Sequence, residues 1–170
     1  REMNTRLQVE HPVTEAVFGI DLVEWRIRQA AGEDPIAAAG PLVPKGAAME
    51  VRVYAEIPHA NFQPSAGLLT EVKFPAGARI DGWIETGTEV TPFYDPMLAK
   101  VIVTGEDRPA AIAALNAALA ETSICGIETN LQYLRAIAAS DLLAPAKSRP
   151  PRWGISPSRP PAWKWACPAR

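Results

Sequence analysis

The chain has 170 residues, 48% hydrophobic and 21% charged, with a formal net charge of -2. That length suits one ordinary domain, or a small domain with a tail, and the near-neutral charge leaves no electrostatic footprint for nucleic acid. No apolar run is long enough to span a bilayer, the opening Arg1-Glu2-Met3-Asn4 is no signal peptide, and Cys125 and Cys167 are too few for a disulfide framework. A cytoplasmic setting is the expectation.

Residues 2–10 alternate, with Glu2, Asn4, Arg6, Gln8 and Glu10 at even positions and Met3, Leu7 and Val9 between them. Successive side chains of an extended chain point to opposite faces, so the pattern predicts a strand with one polar face. Pro12 can open a helix, Asp21 can cap a second, and Gly32 is a plausible stop. Residues 33–47, with Pro35, Pro41 and Pro44, read as a loop. Met49, Val51, Val53 and Ala55 alternate with Glu50, Arg52, Tyr54 and Glu56 in a clear strand pattern. Short strands are expected near 68–74, 79–84 and 89–93, and a longer one over 97–103. Asp107 is the expected N-cap of an Ala-rich helix to Leu119, and Thr129 to Ala139 reads as a last helix. The fold class is α+β, mostly antiparallel sheet with flanking helices.

Charge is unevenly split. Residues 1–143 hold 11 basic and all 19 acidic residues, whereas residues 144–170 hold six basic residues and no acid, with seven of the 17 prolines and three of the five tryptophans. The segment from about residue 142 is therefore expected to be a disordered tail. One account is a frameshift product: read one base earlier, Trp163-Lys164-Trp165 becomes Glu flanked by Val, Met or Leu. A basic, Pro-rich linker is the other account.

The even face of residues 2–10 is the richest in chemistry. Glu2 and Asn4 offer hard oxygen ligands of the kind Mg²⁺ takes beside phosphates. Arg6 and Gln8 can grip a planar oxyanion, and Glu10 is a candidate general base. The same row also fits the solvated face of an ordinary amphipathic strand. Arg52, between Glu50 and Tyr54, reads equally as a surface ion pair. His11 and His59 lack partners at ligand spacing, and Cys125 beside Gly126 reads as a small buried residue.

The run Glu2-Met3-Asn4-Thr5-Arg6-Leu7-Gln8-Val9-Glu10-His11-Pro12-Val13-Thr14-Glu15 resembles the signature of the biotin carboxylase component of biotin-dependent carboxylases, which are ATP-grasp enzymes. The likeness continues through Glu50-Val51-Arg52, Pro64-Ser65-Ala66-Gly67, Tyr94-Asp95-Pro96-Met97-Leu98-Ala99-Lys100 and Gly126-Ile127-Glu128-Thr129-Asn130, covering about residues 1–141. Within the family, Thr91 to Lys100 most resembles urea carboxylases, with acyl-CoA carboxylases second. Ala66 stands where the family usually has Pro.

The resemblance implies that residues 1–32 end an ATP-grasp domain and residues 33–141 form the biotin carboxylase C-terminal domain, ahead of the 142–170 tail. It implies a ligase that uses ATP and bicarbonate to carboxylate N1′ of biotin. Glu2 and Asn4 match metal ligands for Mg or Mn with ATP. Arg6, Gln8 and Val9 match bicarbonate-binding positions, Val9 through its backbone. Glu10 matches the general base, and Arg52 the biotin-binding arginine that steadies the biotin enolate. Catalytic roles thus fall on Glu10, Arg52 and Arg6. The implied partners are a biotin carboxyl carrier domain, a carboxyltransferase part and, in the intact enzyme, a second copy of the chain. The family's nucleotide-binding lysines and glycine-rich loop lie upstream of the signature and have no counterpart here, so the chain is expected to be inactive alone. The alternative is a non-catalytic oligomerisation or regulatory module of such a carboxylase.

Overall fold

A computed structural model describes residues 3–143. Glu2 and nearly all of the expected 142–170 tail lie outside the described residues.

Helices α1 (His11–Phe18) and α2 (Leu22–Ala30) fall where Pro12 and Asp21 predict them. Gly19, at φ 66°, ends α1 in the left-handed conformation, and Asp21 Oδ1 accepts from the Glu24 amide at 2.8 Å. A third short helix, α3 (Pro35–Ala39), interrupts the segment read as a loop. Asp34 caps it by accepting from the Ala37 amide at 3.0 Å. Pro35 is its first residue, where a missing N–H costs nothing, so the proline starts a helix here instead of breaking one.

The central sheet has the order β1 (Ala47–Tyr54), β8 (Met97–Gly105), β6 (Arg79–Gly82), antiparallel throughout. Two-stranded pairs surround it: β2 (Glu56–Ile57) with β3 (Gln63–Pro64), β4 (Gly67–Leu68) with β7 (Glu89–Val90), and β5 (Glu71–Lys73) with β9 (Ser123–Cys125). The strand expected over 89–93 is cut to Glu89–Val90, and Phe93 and Tyr94 beyond it are exposed. Neither the β2–β3 hairpin nor β9 is expected from the sequence, because two- and three-residue runs are too short to display a period. β9 leaves Cys125 half-buried, not buried, with its carbonyl accepting from the Thr70 amide at 2.8 Å. A side chain at Gly126 (φ 109°) would collide with the Leu68 carbonyl, so glycine lets the chain leave β9 closely packed.

Alternation gives the central sheet two different faces. Val53, Val101 and Val103 join Leu115 and Leu119 of α4 (Arg108–Glu121) and Leu131 of α5 (Leu131–Ala138) in the buried core. Asp107 caps α4 as expected, accepting from the Ala110 amide at 2.8 Å. At the far end of α4, Arg135 of α5 donates to the carbonyls of Leu119 at 2.8 Å and Thr122 at 2.7 Å. The opposite face carries Glu50, Arg52, Lys100, Arg79 and Asp81, and α1 packs across it.

The strand expected over residues 2–10 is not formed. Residues 3–8 are irregular and a turn at Val9–Glu10 leads into α1. A strand needs a neighbour to take its backbone hydrogen bonds, and among the described residues none pairs with this segment. Its apolar half is not a buried face either: Met3 is 87% exposed, while Leu7 and Val9 are half-buried.

Candidate active site

Without a strand, the even residues do not form one row. Asn4 and Arg6 line a groove of about 390 Å³ against Trp25, Arg26 and Gln29 of α2 and Ile36 of α3. Arg6 Nη1 donates to the Leu7 carbonyl at 3.4 Å. Gln8 is half-buried, and its carbonyl accepts from the His11 amide at 3.2 Å and faces His11 Nδ1 at 2.8 Å.

Glu10 instead meets the sheet. Arg52 Nη2 donates to Glu10 Oε1, joining residues 42 positions apart, and Arg52 Nη1 donates to the Tyr54 hydroxyl at 3.3 Å. The tyrosine hydrogen bond, together with Tyr54 and Glu10 nearby, outweighs desolvation and raises the guanidinium's proton affinity, so Arg52 is a fixed cation. Its backbone is fixed as well. Asn130 Oδ1 accepts from the Tyr54 amide at 2.9 Å, and Asn130 Nδ2 donates to the Arg52 carbonyl at 3.1 Å. One side-chain amide thus imitates a neighbouring strand along the edge of β1. Sequence reasoning missed this role, because Asn130 reads as part of the helix expected over Thr129 to Ala139; the helix starts at Leu131, and the Asn130 side chain makes no cap bond.

Beside Arg52 in register lie Lys100 and then Asp81. Lys100 Nζ donates to the Val9 carbonyl at 3.1 Å and pairs with Asp81 Oδ2 at 3.4 Å. Arg79 grips both oxygens of Asp81, at 2.8 and 2.9 Å, and reaches Glu15 Oε2 at 2.7 Å. Burial pushes the Asp81 carboxyl up, but the Arg79 hydrogen bonds and charge and the Lys100 ammonium prevail and hold it below the usual range. Glu50 is the opposite case. Both its carboxylate oxygens are buried with no hydrogen-bond partner among the described residues. Burial raises its proton affinity, Lys100 opposes this, and Glu10 adds to it.

Among the described residues no three His, Cys, Asp or Glu side chains converge on a metal position. Asn4 supplies one amide oxygen, and its expected companion Glu2 lies outside the described residues. The described residues therefore do not by themselves fit a metal ion. No helix among them is long and apolar enough to cross a membrane.

A short helical lead thus enters an antiparallel sheet that sets a guanidinium against a carboxylate. The biotin carboxylase C-terminal domain family matches residues 50–148, and the carbamoyl-phosphate synthase L chain ATP-binding domain matches residues 1–36. The chain belongs to the biotin carboxylase family. It is 55% identical over 146 residues to urea amidolyase of Saccharomyces cerevisiae, a match covering 86% of this chain and 8% of that protein. The crystal structure of Kluyveromyces lactis urea carboxylase superimposes with a TM-score of 0.80 at 52% identity, over 82% of this chain and 12% of that one. The biotin carboxylase domain of Hydrogenobacter thermophilus 2-oxoglutarate carboxylase, solved with MgADP, ADP and bicarbonate, does so with a TM-score of 0.79 at 38% identity, over 84% of this chain and 32% of that one. The chain thus spans between 8 and 32% of the length of these relatives.

Proposed function

We propose that this chain supplies the bicarbonate- and biotin-facing part of an ATP-dependent biotin carboxylase of the urea carboxylase type. The observation that carries the reading is the Arg52–Glu10 pair, which joins the signature segment to the sheet. Glu10 is the base: its carboxylate takes the proton of bicarbonate, and the bicarbonate oxygen then attacks the γ-phosphorus of ATP as ADP leaves. Its exposure suits that task, since a base must reach its proton. Arg6 and Gln8, with the Val9 backbone, hold the oxyanion. Arg52 offers a guanidinium whose charge persists at any working pH, and a developing anion is stabilised most by such preorganised donors. Biotin, delivered by a carrier domain, supplies the nitrogen that accepts the carboxyl group. Residues 1–32 act as the end of the ATP-grasp domain and residues 33–141 as the C-terminal domain. Metal binding would draw on Glu2 and Asn4. The higher identity to urea amidolyase than to 2-oxoglutarate carboxylase supports urea as the final acceptor.

A graft tests this. Residues 3–141 replace the corresponding segment of the yeast urea amidolyase, and bicarbonate- and biotin-dependent ATP cleavage is measured. An active graft whose Glu10→Gln and Arg52→Met variants lose activity by about a hundredfold or more, the usual weight of a general base, supports the reading. Variants with undiminished activity contradict it.

A further inference from the structure

We propose that Lys100 is a positioning residue for the bicarbonate segment: its buried ammonium holds the Val9 carbonyl and so fixes Gln8 to Glu10 against the sheet. The inference rests on reading that segment as the bicarbonate and base site. Lys100 is 7% exposed, and lysine is almost never so buried unless it is paired. Two partners account for it, the Val9 carbonyl and the Asp81 carboxylate. The first is the informative one. An ion pair with Asp81 would suffice to place a lysine on the sheet, yet the ammonium also reaches across 91 residues to a backbone carbonyl next to the base.

That carbonyl belongs to a segment with little other support. Residues 3–8 contribute no ladder bonds, and the bonds that begin α1 fix only its first turn, through the Gln8 and Glu10 carbonyls. Behind Lys100 the support is continuous. Asp81 is held by two parallel bonds from Arg79, Arg79 reaches Glu15, and Glu15 Oε1 accepts from the Leu22 amide at 2.9 Å. The start of α2, α1 and strand β6 therefore fix the ammonium, and the ammonium fixes Val9. A charge-assisted hydrogen bond from a buried ammonium is well suited to this, being strong and directional. Lys100 also supplies positive charge beneath a segment that binds an anion, and it is the strongest counter-charge to the unpartnered Glu50 carboxylate.

Two measurements decide it. In the unaltered 170-residue chain, ¹⁵N–¹H correlation of the lysine ammonium groups should show a slowly exchanging Lys100 signal with through-hydrogen-bond coupling to the Val9 carbonyl carbon. A Lys100 ammonium with no coupling to Val9 overturns the proposal. In the graft, Lys100→Met should raise the bicarbonate KM about tenfold, the weight of one charge-assisted hydrogen bond, with the ATP KM unchanged. Asp81→Asn, which leaves the ammonium in place, should raise it less. KM values for bicarbonate and ATP that move together, or a bicarbonate KM that does not move, contradict positioning. An unaltered graft without activity defeats the functional reading instead, and the Val9 coupling then judges the Lys100 contact independently.

Discussion

Residues 3–10 and strand β1 carry the same kind of sequence and end in different structures. Both alternate polar and apolar side chains. β1 is paired with β8 along its length, from Ala47 against Gly105 to Tyr54 against Met97. The signature segment has no strand beside it and is held by side chains: Lys100 on the Val9 carbonyl, Arg52 on Glu10. Alternation specifies which face a residue would occupy if a strand formed. Whether one forms depends on backbone partners, which the pattern does not encode.

The largest contrast should come from truncating one apolar residue in the core beneath the sheet and one in the signature segment. Leu115 is 1% exposed and packs in the core with Val101 and Val103, whereas Met3 is 87% exposed. Leu115→Ala should cost about 2–5 kcal/mol in denaturant unfolding, and Met3→Ala less than about 0.5 kcal/mol. Comparable losses at both positions would mean that the segment is part of the core.

Asn130→Ala should rank next. It strips partners from the Tyr54 amide and the Arg52 carbonyl, each worth about 1–3 kcal/mol if left unsatisfied. The Tyr54 amide should exchange faster while α4 amides keep their protection. Uniform loss of protection would show that Asn130 holds the whole domain and not the edge of β1. Breaking the Arg52–Glu10 pair with Glu10→Gln should be mild for stability, under about 1 kcal/mol, because the pair is solvent-accessible. Its effect belongs to activity in the graft.

The smallest effect is in pH dependence, where two carboxylates on one face act with opposite sign. Glu50 has a raised folded-state proton affinity, so it weakens the fold as pH rises through and above the ordinary glutamate range. Glu50→Gln should therefore raise the unfolding midpoint at neutral pH, and the advantage should vanish below about pH 4, where both states bind the proton. Asp81 is lowered, so its stabilisation is present above the ordinary aspartate range and is lost as pH falls through its folded value. Asp81→Asn should accordingly destabilise at neutral pH and cease to matter in acid. Melting curves over pH 2–8 of the two variants would check both signs; parallel curves would contradict them.

Much of the fold is legible in the sequence, for identifiable reasons. Asp21 and Asp107 mark helix starts with cap bonds that the structure forms, and the alternation of Met49–Ala55 and the apolar run Met97–Val103 read out the two long strands. The failures are local and physical. Pro35 reads as a breaker where it opens a helix behind Asp34, and β9 is too short for its period to register. For the site, the signature points to Glu10 and Arg52, and the structure brings them together. Lys100 and Asn130 end two of the runs that carry the family resemblance, but nothing in those runs shows that they hold backbone elsewhere. One lies in an apolar strand and the other at the mouth of a helix, and their partners are 91, 76 and 78 residues away.

The clamp-held signature segment is tested most directly by amide hydrogen exchange resolved by residue in the unaltered chain. Residues 4–8 should exchange at nearly unprotected rates, with protection beginning at His11 and Val13, whose amides bond to the Gln8 and Glu10 carbonyls. Val101 and Val103 in β8 should exchange several orders of magnitude more slowly, as amides of a core strand do. Slow exchange at alternate positions from Asn4 to Glu10, comparable with that of β8, would mean that the segment is a paired strand after all.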